Sequence, residues 1–253
     1  MATTTTTRKP MTGMRKAALY SGVFYIGTFI FSIPALGFFH DALHTANFVN
    51  GAGKDGGVMW GAMFDMLTGL TGIGTAVALY PFIKRHGPGR AVGFVASRTL
   101  EAAMLAVGAV AVLALFTLRH DYAGATGVTA TSLTTAASSL VAVKNWTFLF
   151  GPGVMPAINA ICFASIMYQS RLVPRWIPTV GLIGVPLLLI SSTASLFGAW
   201  DQSSSTALFF ALPIATWELS VGLYMTFKGF RKVAGSTTGN GNVPTEQPAL
   251  VTV

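Results

Sequence analysis

Four ionisable side chains stand inside long apolar stretches of this sequence: Asp65, Arg98, Glu101 and Glu218. A charge at mid-membrane costs at least about 2.5–3.5 kcal/mol on insertion scales, so each needs a partner or a task. Arg98 and Glu101 are three residues apart and share a helix face. Arg98 bridging Glu101 and Glu218 would staple two helices together. The charge count allows a second chemistry. Three carboxyls facing one guanidinium leave two uncompensated negative charges if all ionise. Desolvation and like-charge repulsion then predict that at least one carboxyl keeps its proton near neutral pH. A carboxyl poised in that way is what a proton relay or a proton-linked carrier uses. Asn159 is the polar residue whose depth suits a contact with Asp65.

A second group is His40-Asp41-x-x-His44. Histidines four apart share a helix face and can hold a metal through their imidazoles. His120, beside Asp121, falls at the same side of the membrane and could add a ligand. A metal-dependent membrane hydrolase would also need an activated water and an acid/base group. The only cysteine, Cys162, lies in an apolar segment, so neither a disulfide framework nor a cysteine metal site is indicated. No phosphate-binding glycine loop, dinucleotide fingerprint, nucleophile elbow or H-E-x-x-H occurs.

The elements that must position these groups follow from composition. Of 253 residues 52% are hydrophobic and only 9% charged, and the mean hydropathy is +0.61. So little charge cannot cover a water-facing surface, which sets aside an ordinary soluble enzyme, a nucleic-acid module and a disordered chain. An all-α polytopic membrane bundle is expected. A crossing takes roughly 20 apolar residues, and six runs qualify, at about 17–39, 58–83, 91–118, 146–168, 177–197 and 206–227. The Ser/Thr/Ala/Gly-rich stretch 122–143 reads as part of an external loop, 119–145, with a seventh span as the alternative. Residues 1–14 read as a disordered basic leader and 233–253 as a disordered tail around the transmembrane domain 15–232. By a rise of about 1.5 Å per residue, Arg98, Glu218 and Glu101 lie about 10, 13 and 15 Å from one membrane face, close enough for one cluster. Asp65 lies about 10 Å from the other face. Gly57, Gly61 and Gly69 flank it at intervals of four, a small-residue ridge along which helices approach closely.

The net charge of +8 reports orientation. With the N-terminus inside, twelve cations fall on cytoplasmic segments: Arg8, Lys9, Arg15, Lys16, Lys84, Arg85, Arg90, Arg171, Arg175, Lys228, Arg231 and Lys232. Three, Lys54, Arg119 and Lys144, fall outside. This positive-inside pattern puts both termini in the cytoplasm, favours anionic lipid headgroups as partners at that face, and argues against nucleic acid.

Three local patterns occur in order: Tyr80-Pro81 with Arg98-Thr99-Leu100-Glu101-Ala102, then Ser170-Arg171-Leu172-Val173-Pro174-Arg175-Trp176-Ile177, then Trp217-Glu218-Leu219 with Gly222-Leu223-Tyr224. Together they resemble an uncharacterised bacterial multi-pass membrane family, domain of unknown function 4386, over roughly Arg15 to Arg231. The resemblance implies a six- or seven-helix architecture and a bacterial cytoplasmic membrane, and no activity, substrate or cofactor. The residues themselves favour small-solute or proton-linked transport or sensing. The alternatives are a structural or accessory subunit and, third, an external metal-dependent enzyme. A C-terminal alkaline phosphatase fusion is expected to be inactive and a C-terminal fluorescent fusion bright; the reverse pattern would invert the topology.

Overall fold

The computed structural model describes residues 11–44, 48–51, 54, 56–122 and 125–231. Most of the expected leader and all of the expected tail lie outside them. Seven α-helices carry the described chain: α1 Gly13–His44, α2 Gly56–Ile83, α3 Pro88–Asp121, α4 Gly127–Phe148, α5 Met155–Ser170, α6 Trp176–Leu196 and α7 Ser205–Phe227. A π-helical turn, Leu149–Val154, joins α4 to α5. The two therefore form one 44-residue rod, Gly127–Ser170, and six rods are long and apolar enough to cross a membrane. The protein is an integral, multi-pass membrane protein with a helical bundle fold.

The stretch expected as an external loop is corrected by this geometry. From Gly127 onward it is helix, continuous with the fourth span, so the span count stays at six. Its hydroxyls explain why a weakly apolar segment can do this. Thr131, Ser132, Thr135, Ser138 and Ser139 each donate to the carbonyl four residues earlier, at 3.3, 3.0, 3.0, 3.0 and 3.2 Å. Back-bonded in this way, they present little unmet polarity to their surroundings. Sequence hydropathy charges the full cost of each hydroxyl and so underrates such a helix.

The rods close into a ring. α1 packs on α2, α2 on α3, α3 on both α4 and α5, α5 on α6, α6 on α7, and α7 returns to α1. Exposed Ile30, Ile33, Val77, Val110 and Phe209 cover the outer faces, as lipid contact requires. Inside, two apolar clusters stack along the axis. One gathers Tyr25, Leu79, Phe94, Phe163 and Trp217 from five helices. The other gathers Phe39, Val58, Val112, Leu115 and Ala137 at the end that holds the α1–α2 connection. Between them lie Thr28, Asp65, Thr68, Ser97 and Arg98, a polar layer at the middle of the bundle.

Ring closure depends on a glycine pair at the α1–α7 seam. A Cβ on Gly22 would stand 2.6 Å from the Thr226 backbone nitrogen and 2.7 Å from the Gly222 carbonyl oxygen, and one on Gly222 would stand 2.8 Å from the Tyr25 Cβ. Arg15 reinforces the seam by donating to the Met225 and Thr226 carbonyl oxygens at 2.9 and 2.7 Å. Gly22→Ala is expected to cost about 1–3 kcal/mol through overpacking. Gly37→Ala, whose Cβ would meet nothing within 4 Å, should leave stability unchanged or raise it slightly. Thermal unfolding in detergent distinguishes the two.

Candidate functional site

Arg98 is the centre of the polar layer. It projects from α3 and is 3% exposed. Its Nη1 donates to Glu101 Oε2 at 3.1 Å and its Nη2 to Glu218 Oε1 on α7. Because α3 and α7 lie across the ring from one another, the second bond braces the ring through its interior. The guanidinium lies 4.9 Å from the Tyr25 ring centroid on α1 and 5.8 Å from that of Phe94. Aromatic faces thus stabilise the part of the cation that the carboxylates leave free. Arg98 Nε is sealed from solvent with no hydrogen-bond partner among the described residues.

Asn159 belongs to this cluster and not to Asp65, which corrects the sequence expectation. Its side-chain nitrogen donates to Glu101 Oε2 at 2.7 Å, and its side-chain oxygen accepts from Ser97. Asp65 instead pairs with Lys144 of α4. Asn159 lies fifteen positions beyond Lys144 on the same rod, about 20 Å along its axis, so the rod meets Asp65 with the earlier residue, Lys144, and Glu101 with Asn159. The expected set of three carboxyls around one guanidinium therefore divides in two, a carboxylate–ammonium pair and a guanidinium between two carboxylates. Lys144, an external cation by the sequence, is instead buried, 4% exposed and 4.4 Å from the Phe39 ring centroid.

The π-turn sets this arrangement. Gly151-Pro152-Gly153 interrupts the regular bonding of the rod, and Ser192 of α6 donates to the Gly153 carbonyl oxygen at 2.7 Å. Irregular backbone at membrane depth survives only where protein or a cavity satisfies it. Here both conditions hold. A cavity of about 220 Å³ opens at the middle of the ring, and Phe148, Pro152 and Pro156 line one side of it. Asp65, Arg98, Glu101 and Glu218 all contribute to its wall. The side chains of Glu101 and Glu218 each keep 13% of their surface open. Gly61 and Gly69 let α2 approach: their Cβ positions would meet Phe39 of α1 and Ala102 of α3.

The histidine group does not assemble. His40 and His44 stack with ring centroids 4.9 Å apart. His40 Nδ1 reaches Asp41 Oδ1 at 3.5 Å, and the other Asp41 oxygen accepts from the Lys54 backbone N–H. His120 lies 4.5 Å from the Phe116 ring centroid, with its Nδ1 at the Phe116 carbonyl oxygen. Among the described residues no three His, Cys, Asp or Glu side chains converge as metal ligands. Helical spacing put two imidazoles on one face, but each ring is turned toward a neighbouring ring or carbonyl.

Lys144 is the residue that sequence reasoning missed. Two signals point to it: within the assigned spans no cation lies at Asp65's own depth, and residues 125–143 contain no charge.

The chain matches the model of the family described as Domain of unknown function (DUF4386) over residues 20–229, and it belongs to that family. Neither the curated proteins nor the solved structures contain a match.

The Asp65–Lys144 pair makes an asymmetric prediction. Lys144→Met strands a buried carboxylate and is expected to cost about 3–5 kcal/mol, while the double change Lys144→Met with Asp65→Leu should recover most of that loss. A double-mutant cycle on unfolding in detergent measures the difference.

Proposed function

We propose that this protein is a proton-linked carrier of a small solute, working through Asp65, Arg98, Glu101 and Glu218. The observation that carries the reading is the central cavity, on which all four side chains converge. A staple that only ties helices together is served by pairing both oxygens of each carboxylate, whereas an unpaired carboxylate oxygen facing a cavity is a position that a proton or a polar ligand can take. Here Glu101 and Glu218 retain open surface while Arg98 is sealed.

The same geometry supplies a route from proton to movement. The five charges of the polar layer are Asp65, Lys144, Arg98, Glu101 and Glu218, a surplus of one negative charge when all are ionised. One proton cancels it. When Glu218 takes that proton, the ionic brace between α3 and α7 is lost and Arg98 is left with Glu101. The proton state of one carboxyl then sets whether the two sides of the ring are tied together. The π-turn beside the cavity is the segment of the wall with the least regular backbone bonding, and it suits a moving part.

The orientation we assign places both termini in the cytoplasm of a bacterial cytoplasmic membrane. With Lys144 removed from the external count, Lys54 and Arg119 alone oppose the twelve cytoplasmic cations, among which anionic headgroups would find partners.

Proteoliposomes holding a pH-sensitive dye and challenged with amines, amino acids, carboxylates and sugars test this reading. Proton movement driven by one of these classes is expected, and Glu218→Gln should abolish it while the protein still elutes as a folded species. If no solute moves protons and Glu218→Gln lowers only the unfolding temperature, the cluster is a staple and the protein is a structural or accessory subunit.

A further inference from the structure

Size, wall chemistry and charge of the central cavity together define what it can hold. Its volume is about 220 Å³. A dry apolar cavity of about 150 Å³ accommodates benzene, so a molecule of roughly eight to ten non-hydrogen atoms matches the space here. Phe29, Leu36, Leu105 and Phe148 offer the occupant an apolar wall. The polar wall is not neutral in its hydrogen bonding. Arg98 and Asn159 both donate to Glu101 Oε2, and Arg98 donates to Glu218 Oε1. Glu101 Oε1 and Glu218 Oε2 accept no hydrogen bond from the described residues, and neither is among the sealed unpartnered atoms. Asp65 Oδ1 is in the same position, since Lys144 donates to Oδ2, so the wall presents three acceptors without donors.

The charge balance gives the occupant its sign. Each cation at this level already has its counter-ion: Lys144 lies on Asp65, and Arg98 lies between Glu101 and Glu218. An anionic guest would have to displace one of these pairs. A cationic guest displaces no ion pair and cancels the surplus negative charge. Every charged or titratable group facing Glu218 enters this count. α1 offers Tyr25, α2 Asp65, α3 Arg98 and Glu101, and α4 Lys144 behind Asp65; α5 adds the neutral Asn159.

Resting on the proton-linked reading above, we infer that the cavity binds a small monovalent organic cation in exchange for one proton. The ammonium group sits at the open oxygens of Glu101 and Glu218, and the hydrocarbon body lies between Phe29 of α1 and Phe148 of α4. A proton and the ammonium neutralise the same surplus charge, so the site holds one or the other. Binding of the cation releases the carboxyl proton to the buffer, and lower pH weakens binding.

Calorimetry on the full chain in detergent tests this with three isosteric probes, benzylammonium, benzyl alcohol and benzoate. Benzylammonium is expected to bind at least about tenfold more tightly than benzyl alcohol, and benzoate not at all. Repeating the titration in buffers of different ionisation enthalpy should show about one proton released per cation at pH below the midpoint of the site. Glu218→Gln should weaken benzylammonium at least about tenfold and remove the proton release; Glu101→Gln serves the same purpose if the first variant does not fold. Binding of benzyl alcohol or benzoate as tight as that of benzylammonium would overturn the assigned ligand class and leave the carrier reading standing. Cation binding without proton release would overturn the exchange. Failure of all three probes to bind folded wild-type protein would overturn the site, and the dye assay would then judge the carrier reading separately.

Discussion

A charge inside a membrane must find its counter-charge within the protein, because no water is at hand to solvate it. That constraint shapes the middle of this bundle. Arg98 reaches Glu101 on its own helix and Glu218 across the ring, with Tyr25 and Phe94 against its remaining surface. For these groups to meet, α7 must return to α1, and Gly22 and Gly222 let those helices touch. Two apolar clusters close the polar layer from either end. They keep the local dielectric low, which makes each pairing strong and each omission costly.

The π-turn answers the same constraint for the second charge pair. A straight continuation of α5 would carry a proline and two glycines into a regular helix, where proline removes a donor and clashes with the preceding turn. The bend at Leu149–Val154 accepts Pro152, takes a hydrogen bond from Ser192 at the Gly153 carbonyl, and opens one side of the cavity. Lys144, just before the bend, meets Asp65. This local irregularity forms part of the cavity wall, and the helix that leads into it carries the counter-ion Lys144.

Membership of a family without an assigned activity leaves the chemistry to be read from the site. Three carboxylates and two cations surround or back a single small cavity, and three carboxylate oxygens there, Asp65 Oδ1, Glu101 Oε1 and Glu218 Oε2, accept from no described residue. A proton or a small ammonium compound would each satisfy both the charge and the hydrogen-bonding demand. The shared demand is what would link their movements.

Much of this was legible in the sequence. Scarcity of charge named the solvent, and the long apolar runs marked the rods, because a 30 Å hydrocarbon layer imposes a length of roughly 20 residues on any helix that crosses it. The i, i+3 spacing of Arg98 and Glu101, with the similar depth of Glu218, placed three residues of the cluster together, since helix rise is uniform. Asn159 and Lys144 were out of reach of the same arithmetic. Hydropathy saw serine and threonine at 131–139 as polar, whereas their hydroxyls fold back on the helix. The sequence by itself determined the solvent, the number of rods and the residues that could not be left unpaired. Only the tertiary structure decided which charge answers which, and whether a cavity reaches them, because pairing depends on how rods turn and bend against one another, and no periodicity along one rod records its neighbour's rotation.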